Sequence, residues 1–292
     1  MYVIMGATGH VGGAVARALL EAGQPVTALV HRASHGRALA ERGAEIVEAD
    51  AHDAAALRAA FRRGRRAFLL NPPADVSTDT DAEERATVRG ILDALDGSGL
   101  DRVVAASTYG AQPGERIGDL SVLYELEQGL AAQPIPAQIQ RGAYYMSNWD
   151  ALLDPVRQSG DLPTMLPADL RMPMVSPQDL GRSAAHLLQS DEPPGEIVFV
   201  EGPARYSTTD VAHAFANALR RDVKPTVIPR DQWRTAYRKL GFSEAAADAY
   251  VRMTAASIDQ DAIPPAAARH GDVTLEAYIA DLVSNRPAVP AG

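Results

Sequence analysis

Residues 1–13 read MYVIMGATGHVGG, and their reading decides the fold. A short apolar run, Val3-Ile4-Met5, passes directly into Gly6-Ala7-Thr8-Gly9-His10-Val11-Gly12-Gly13, and an alanine- and leucine-rich stretch with helical spacing follows. The order is strand, glycine loop, helix. In such a loop the first glycine, Gly6, allows the tight turn. Gly9 lets the backbone approach a pyrophosphate, and Gly12 lets the helix pack closely on the strand. Unpaired amides at the helix start, around Thr8, His10 and Val11, act with the helix dipole to favour phosphate oxygens. The context predicts a dinucleotide site at the head of the chain.

Outward from the loop, short β-branched runs alternate with helical stretches. Strands are predicted at 2–5, 25–30, 45–48, 66–70, 102–106 and 137–140. Helices fit between them at 11–22, 37–42, 54–61, 82–95 and 122–132. Steps of about 20 to 35 residues are the size of βαβ crossovers. The predicted class is α/β, a Rossmann doubly wound parallel sheet. After Arg141 the rhythm breaks, with prolines at 155, 163, 167, 173 and 177. A strand at 196–200, a helix capped by Ser207 or Thr208, and helices at 231–240, 243–253 and 275–283 follow. The expected division is an NAD(P)-binding Rossmann domain over 1–141, its sheet completed by later strands. Residues 142–292 form a smaller, mainly helical substrate or lid region, interdependent with the first.

Composition removes several function classes. The 292 residues hold no cysteine, which excludes disulfides, thiolate nucleophiles and cysteine-ligated metals. Lys+Arg 28 against Asp+Glu 37 gives −9, a balance that repels nucleic acid. The run Arg62-Arg63-Gly64-Arg65-Arg66 has no interleaved aromatics and reads as solvated surface. No apolar run approaches the roughly 18 residues of a membrane span, and no basic segment precedes an apolar one at the start. A cytoplasmic protein without membrane contact is expected. His31 and His35 lack a third ligand nearby, so no metal is expected. No Gly-x-Ser-x-Gly elbow occurs. Glu125 and Glu127 project from opposite sides of one helix and read as surface or structural carboxylates.

The second strand ends in Val30-His31-Arg32 with no carboxylate before Glu41. A carboxylate there would hold the ribose of NAD and repel a 2′-phosphate, whereas a guanidinium binds that phosphate. Arg32, helped by Ser34 and Arg37, therefore selects NADP(H) over NAD(H). Asp50, after the third strand, reads either as an adenine-edge contact or as a loop-capping acid. Asn71-Pro72-Pro73 follows the fourth strand as a rigid wall. Ser107-Thr108-Tyr109 follows the fifth, with Ser107 expected near the nicotinamide.

These residues bring a family into view. GATGHVGG, the basic end of strand two, AASTYG, and YELEQGL followed by IQRGAYYMSNW resemble the NmrA-like atypical short-chain dehydrogenases. MPMVSPQDLGRSAAHLL with Asp179, EIVFVEGPARYSTTDVAHAFANAL and VTLEAYIADL extend the resemblance over nearly the whole chain. It implies either an NAD(P)H-dependent reductase of quinones or dyes, or a redox sensor that binds the cofactor without turnover. One departure matters. Alcohol-oxidising relatives use Tyr-x-x-x-Lys for proton transfer. Here Tyr109 meets Pro113 at the fourth place and Tyr124 meets Gln128, and lysine occurs only at 224 and 239. The expected reaction is hydride transfer to a quinone-like or other planar, electron-poor acceptor. Tyr144, Tyr145, Asn148 and Trp149 would supply the substrate slot, and Tyr109 or Tyr124 a proton. The rival is the NAD(P)H sensor acting through a protein partner, and a weaker third option is a sugar- or lactone-modifying relative. A homodimer or a protein partner is left open.

Overall fold

Strand and helix alternate through the first half because the apolar residues divide between two faces of one sheet. The computed structural model describes residues 1–191, 193–259 and 267–286. In chain order, β1 is Tyr2–Ile4, α1 His10–Glu21, β2 Val26–Val30, α2 Arg37–Ala40 and β3 Glu45–Glu48. Then come α3 Ala54–Phe61, β4 Arg66–Leu69, α4 Thr80–Leu95, β5 Arg102–Thr108, α5 Asp119–Ala131 and β6 Ala137–Gly142. The later elements are β7 Tyr144–Tyr145, α6 Leu153–Ser159, β8 Asp161–Thr164, β9 Met172–Val175, α7 Pro177–Gln189 and β10 Val198–Glu201. They are followed by β11 Arg205–Tyr206, α8 Thr208–Leu219, β12 Lys224–Val227, α9 Trp233–Lys239, α10 Glu244–Asp259, β13 Arg269–His270 and α11 Leu275–Asn285.

The central sheet has eight strands in the order β13-β10-β6-β5-β4-β1-β2-β3, and every pair in it is parallel. The order reverses between β1 and β4, which is where a doubly wound sheet opens a crevice at its carboxyl edge. Period-two alternation explains the two cores. Ile4, Phe68 and Val104 face α1 and α7, while Val3, Leu69 and Val103 face α3, α4 and α5. On α1, Val11, Val15 and Leu19 recur at i+4 and pack on Leu180, Ala184 and Leu188 of α7. α7 starts where Ser176 accepts the Asp179 amide at 3.0 Å with Pro177 following, and Ser207 closes a capping box with Asp210 on α8.

A third cluster lies beyond the sheet. Met146, Trp149 and Leu153 meet Phe215 of α8 and Leu275 and Ile279 of α11. Helices dominate this part, and between them it also holds a three-stranded sheet, β11-β9-β7, and a two-stranded one, β12-β8. Strands of two to four residues carrying Pro163, Pro173 and Pro225 give no apolar run to read. Two predicted ends also move. β5 runs to Thr108 rather than 106 and β6 to Gly142 rather than 140, because Ser107 pairs with Arg141 and Thr108 with Gly142. α5 begins at Asp119, three residues before the predicted start. Among the described residues no helix is long and apolar enough to cross a membrane.

Candidate functional site

The turn after β1 has the geometry its glycines imply. Gly6 sits at φ +60°. A Cβ on Gly12 would lie 2.5 Å from the Met5 carbonyl oxygen and closer still to that of Gly6, so only glycine lets α1 rest on the strand end. Gly13 N donates to Gly9 O at 3.0 Å as the first helical bond. The His10, Val11 and Gly12 amides before it therefore have no intrahelical partner. No side chain caps them, and the first turn holds no acid. That is a ready anion site.

One cavity of about 1730 Å³ runs over this edge. It exceeds the roughly 300–1,000 Å³ usual for a single small molecule, so there is room for a dinucleotide and an acceptor. The carboxyl ends of the six predicted strands all reach it. Gly6, Thr8, Gly9, His10, Val11 and Gly12 line it after β1, His31 after β2, Asp50 after β3, and Asn71 with both prolines after β4. Tyr109 lines it after β5, and Tyr144, Tyr145, Asn148 and Trp149 after β6. Asp50 Oδ1 also accepts the His52 amide at 2.9 Å, so its loop-bracing role exists in the fold. Two buried polar atoms of the lining, Asn71 Oδ1 and Trp149 Nε1, have no partner among the described residues. Open amides, a glycine contact that a Cβ would fill, and orphaned polar atoms together suit a bound nicotinamide dinucleotide.

Three expected site residues stand elsewhere. Ala106 and Thr108 face the cavity, so the alternation of β5 turns Ser107 to the opposite side. There Ser107, 1% exposed, donates to Glu127, and Arg141 grips the same carboxylate with Nε at 2.9 Å and Nη2 at 2.7 Å. Tyr124 also lies off the cavity wall; α5 presents Asp119, Leu120 and Leu123 to it instead. Arg32 is exposed outside the lining; its carbonyl accepts the His35 amide at 3.0 Å, while its guanidinium has no hydrogen bond or ion pair among the described residues. Beside it, Glu48 reaches across from β3 to accept the Ala33 amide at 2.9 Å. A separate recess of about 290 Å³ adjoining Thr8 gathers Arg17, His35 and Arg42.

Tyr109 lines the cavity, yet its hydroxyl donates to Glu201 Oε1 at 3.1 Å and its ring meets Phe199 edge-on at 5.2 Å. Burial, reinforced by the Glu201 charge, drives its pKa far above the phenol range. Burial also pushes Tyr144 up to about 12 and raises Tyr145, the latter helped by the charge of Asp119. These phenols stay neutral and form apolar walls with polar tips.

Several site residues left no readable signal in the sequence. The helical pair α9–α10 roofs the cavity with Tyr237 and Tyr250, which pack with Phe242 at ring distances of 4.9 to 5.6 Å. The roof is stapled to the loop after β4, where the Ser243 amide donates to Val76 O at 2.8 Å and its hydroxyl to Thr78 O at 2.5 Å. Asp150, 8% exposed, faces His10 Nε2 at 3.3 Å and accepts from Tyr278 Oη at 2.8 Å, tying α11 to the glycine loop. The carboxyl of Asp119, at the head of α5, lies within hydrogen-bonding reach of that of Glu84 on α4. In sequence both acids look like ordinary helix carboxylates.

Comparison with known proteins agrees with this architecture. An NAD(P)H azoreductase of Xenophilus azovorans is 25% identical over 249 residues, 85% of this chain and 84% of that protein. An NADPH-dependent quinone oxidoreductase of Escherichia coli, solved with NADPH, superposes with a TM-score of 0.79 at 20% identity, covering 97% of this chain and 99% of that one. The triphenylmethane reductase of a Citrobacter species, solved with NADP(H), gives 0.79 at 17% identity, with 97% and 100% covered. The NmrA-like family profile matches residues 2–261, and on that match the chain belongs to the NmrA-like family.

Proposed function

We propose that this protein is an NAD(P)H-dependent oxidoreductase that favours NADP(H) and passes hydride to a planar, electron-poor acceptor of the quinone or dye class. The observation that carries the reading is the single cavity joining the open amides of α1 to the aromatic segment 144–149. The first turn of α1 holds the pyrophosphate, with Gly9 and Gly12 giving the approach. Arg17, His35 and Arg42 line the recess by Thr8 and Arg32 stands on the loop after β2; these nitrogen donors suit a 2′-phosphate. Asn71 and Tyr145 border the nicotinamide end. Tyr144 and Trp149, 5.6 Å apart, and the roof tyrosines make a flat apolar slot that orients the acceptor and excludes water. When bound, the reduced dinucleotide supplies the hydride. The azoreductase, quinone oxidoreductase and triphenylmethane reductase to which the chain is similar act on conjugated acceptors, which supports this class.

The test is a titration of purified protein with NADPH and NADH, followed by a quinone and dye panel read at the reduced-nicotinamide absorbance. Tighter NADPH binding with acceptor-dependent oxidation is the expected result. Tight binding without oxidation by any acceptor would replace the enzyme reading with that of a cofactor sensor.

A further inference from the structure

Hydride transfer to a quinone or an azo bond also consumes a proton, and the Tyr-x-x-x-Lys relay that would supply it is absent from this chain. We propose that Glu84 and Asp119 form the proton donor of the site, with Asp119 delivering the proton to the reduced acceptor. The inference rests on the reductase reading above.

Glu84 is 3% exposed on the inner face of α4. Its Oε1 accepts the Ala74 amide at 3.1 Å, and its carboxyl also meets that of Asp119. Two carboxyls can hydrogen-bond each other only if they hold a proton between them. Position decides where it rests. Burial raises both carboxyls, but Asp119 is the first residue of α5, where the helix dipole favours negative charge, while Glu84 has only the Ala74 amide. Burial first, then the Asp119 charge, pushes Glu84 up to about 8, so it keeps its proton at neutral pH. Asp81 adds to that push and is itself held by Arg85 at 2.8 Å; Tyr145 from β7 and Tyr250 from α10 face the pair as neutral phenols.

Such a pair in a sealed core would be structural. Here Asp119 is exposed, and it lines the cavity. The same cavity is lined by Trp149, 3% exposed, whose indole N–H has no partner among the described residues. A buried unsatisfied donor in a cavity wall marks where the acceptor atom of a ligand belongs. The proton balance follows. Hydride added at one quinone oxygen forms an O–H bond and drives an electron pair through the ring to the other oxygen. Asp119 passes the shared proton to that oxygen, forming the second O–H. The pair, left doubly charged, takes one proton back from water as the quinol leaves.

A contrast of acceptors isolates this step. A cationic triarylmethane dye becomes neutral on taking hydride and needs no proton, whereas a benzoquinone needs one. With wild type, kcat for the quinone is full below about pH 8 and falls above it, while the dye profile lacks that limb. In E84Q the ratio of quinone kcat to dye kcat falls about 100-fold, within the range of general-acid effects. An unchanged ratio, or the same high-pH limb with both acceptors, overturns the donor role. A second readout needs no turnover: the cofactor-free protein at pH 7 shows the infrared C=O band of a protonated carboxyl, and E84Q loses it. Absence of that band in wild type overturns the proposal as well. If neither acceptor is reduced while the band is present, it is the reductase reading that falls, and the donor role with it.

Discussion

Gly9 and Gly12 belong to one motif, but the structure gives them separable reasons to be glycine, and alanine at each position tests them apart. A Cβ on Gly12 would press into two backbone carbonyls, at 2.5 Å or less, and neither can yield without lifting α1 from β1. α1 is also pinned from behind, where a Cβ on Gly181 of α7 would meet the Ala14 Cβ at 2.5 Å. Overpacking of this kind costs about 1–3 kcal/mol. G12A is therefore expected to lower Tm by several degrees, even without ligand. At Gly9 the backbone is extended, φ −85° and ψ 178°, and a Cβ would meet only Gly6 O at 3.3 Å. The free protein tolerates that methyl, and G9A should keep its stability within about 0.5 kcal/mol. The pyrophosphate cannot tolerate it. Displacing the phosphate from the α1 amides forfeits one or two charge-assisted hydrogen bonds, about 2–3 kcal/mol in all. That is about 30- to 150-fold in Kd for NADPH. Thermal unfolding by circular dichroism and fluorescence titration with NADPH read the two effects separately. If G9A binds NADPH like wild type, or loses as much Tm as G12A, the assignment of this loop to a dinucleotide is wrong.

The remaining predictions are shorter. R32D is expected to weaken NADPH more than about tenfold while NADH changes far less; equal losses in isothermal titration would remove the phosphate-selecting role. E127A strands Arg141, whose side chain is 15% exposed, and should cost about 3–5 kcal/mol, read as a large fall in Tm. Y109F removes the bond to Glu201 and should cost about 1 kcal/mol in stability. Because that hydroxyl is committed to Glu201, quinone kcat should drop by less than about threefold; a loss of 100-fold would return Tyr109 to the chemistry.

What could be read from the sequence was local. The strand before Gly6, the cap at Ser207 and the β-branched runs of β2 and β5 each state their conformation within a few residues, and the parallel sheet follows from their spacing. Loop residues after the strands were also legible, because a Rossmann sheet puts its carboxyl ends at one edge. Ser107 failed by one position: the strand ran two residues further than its apolar core, and period two turned the hydroxyl away. The cavity's other half was hidden because it is assembled from distant pieces. Glu84 and Asp119 are 35 positions apart, and Asp150 meets His10 on one side and Tyr278 on the other only after distant parts of the chain have folded together. Nothing in the composition of α9 or α10 announces that they roof the site.

The contact of His10 with Asp150, and of Asp150 with Tyr278, joins the first helix of the chain to the last of the described residues. With a dinucleotide at the turn of α1, as proposed, its loading and the docking of α11 would be reciprocal quantities. Whatever free energy a dinucleotide gains from a His10 held in place, it returns as protection of the terminal helix against local opening, and by linkage the two gains are equal. At a ligand concentration of 100 Kd the protection amounts to about 2.7 kcal/mol for any opening that abolishes binding. Helix α11 would thus register whether the proposed site at the glycine loop is filled.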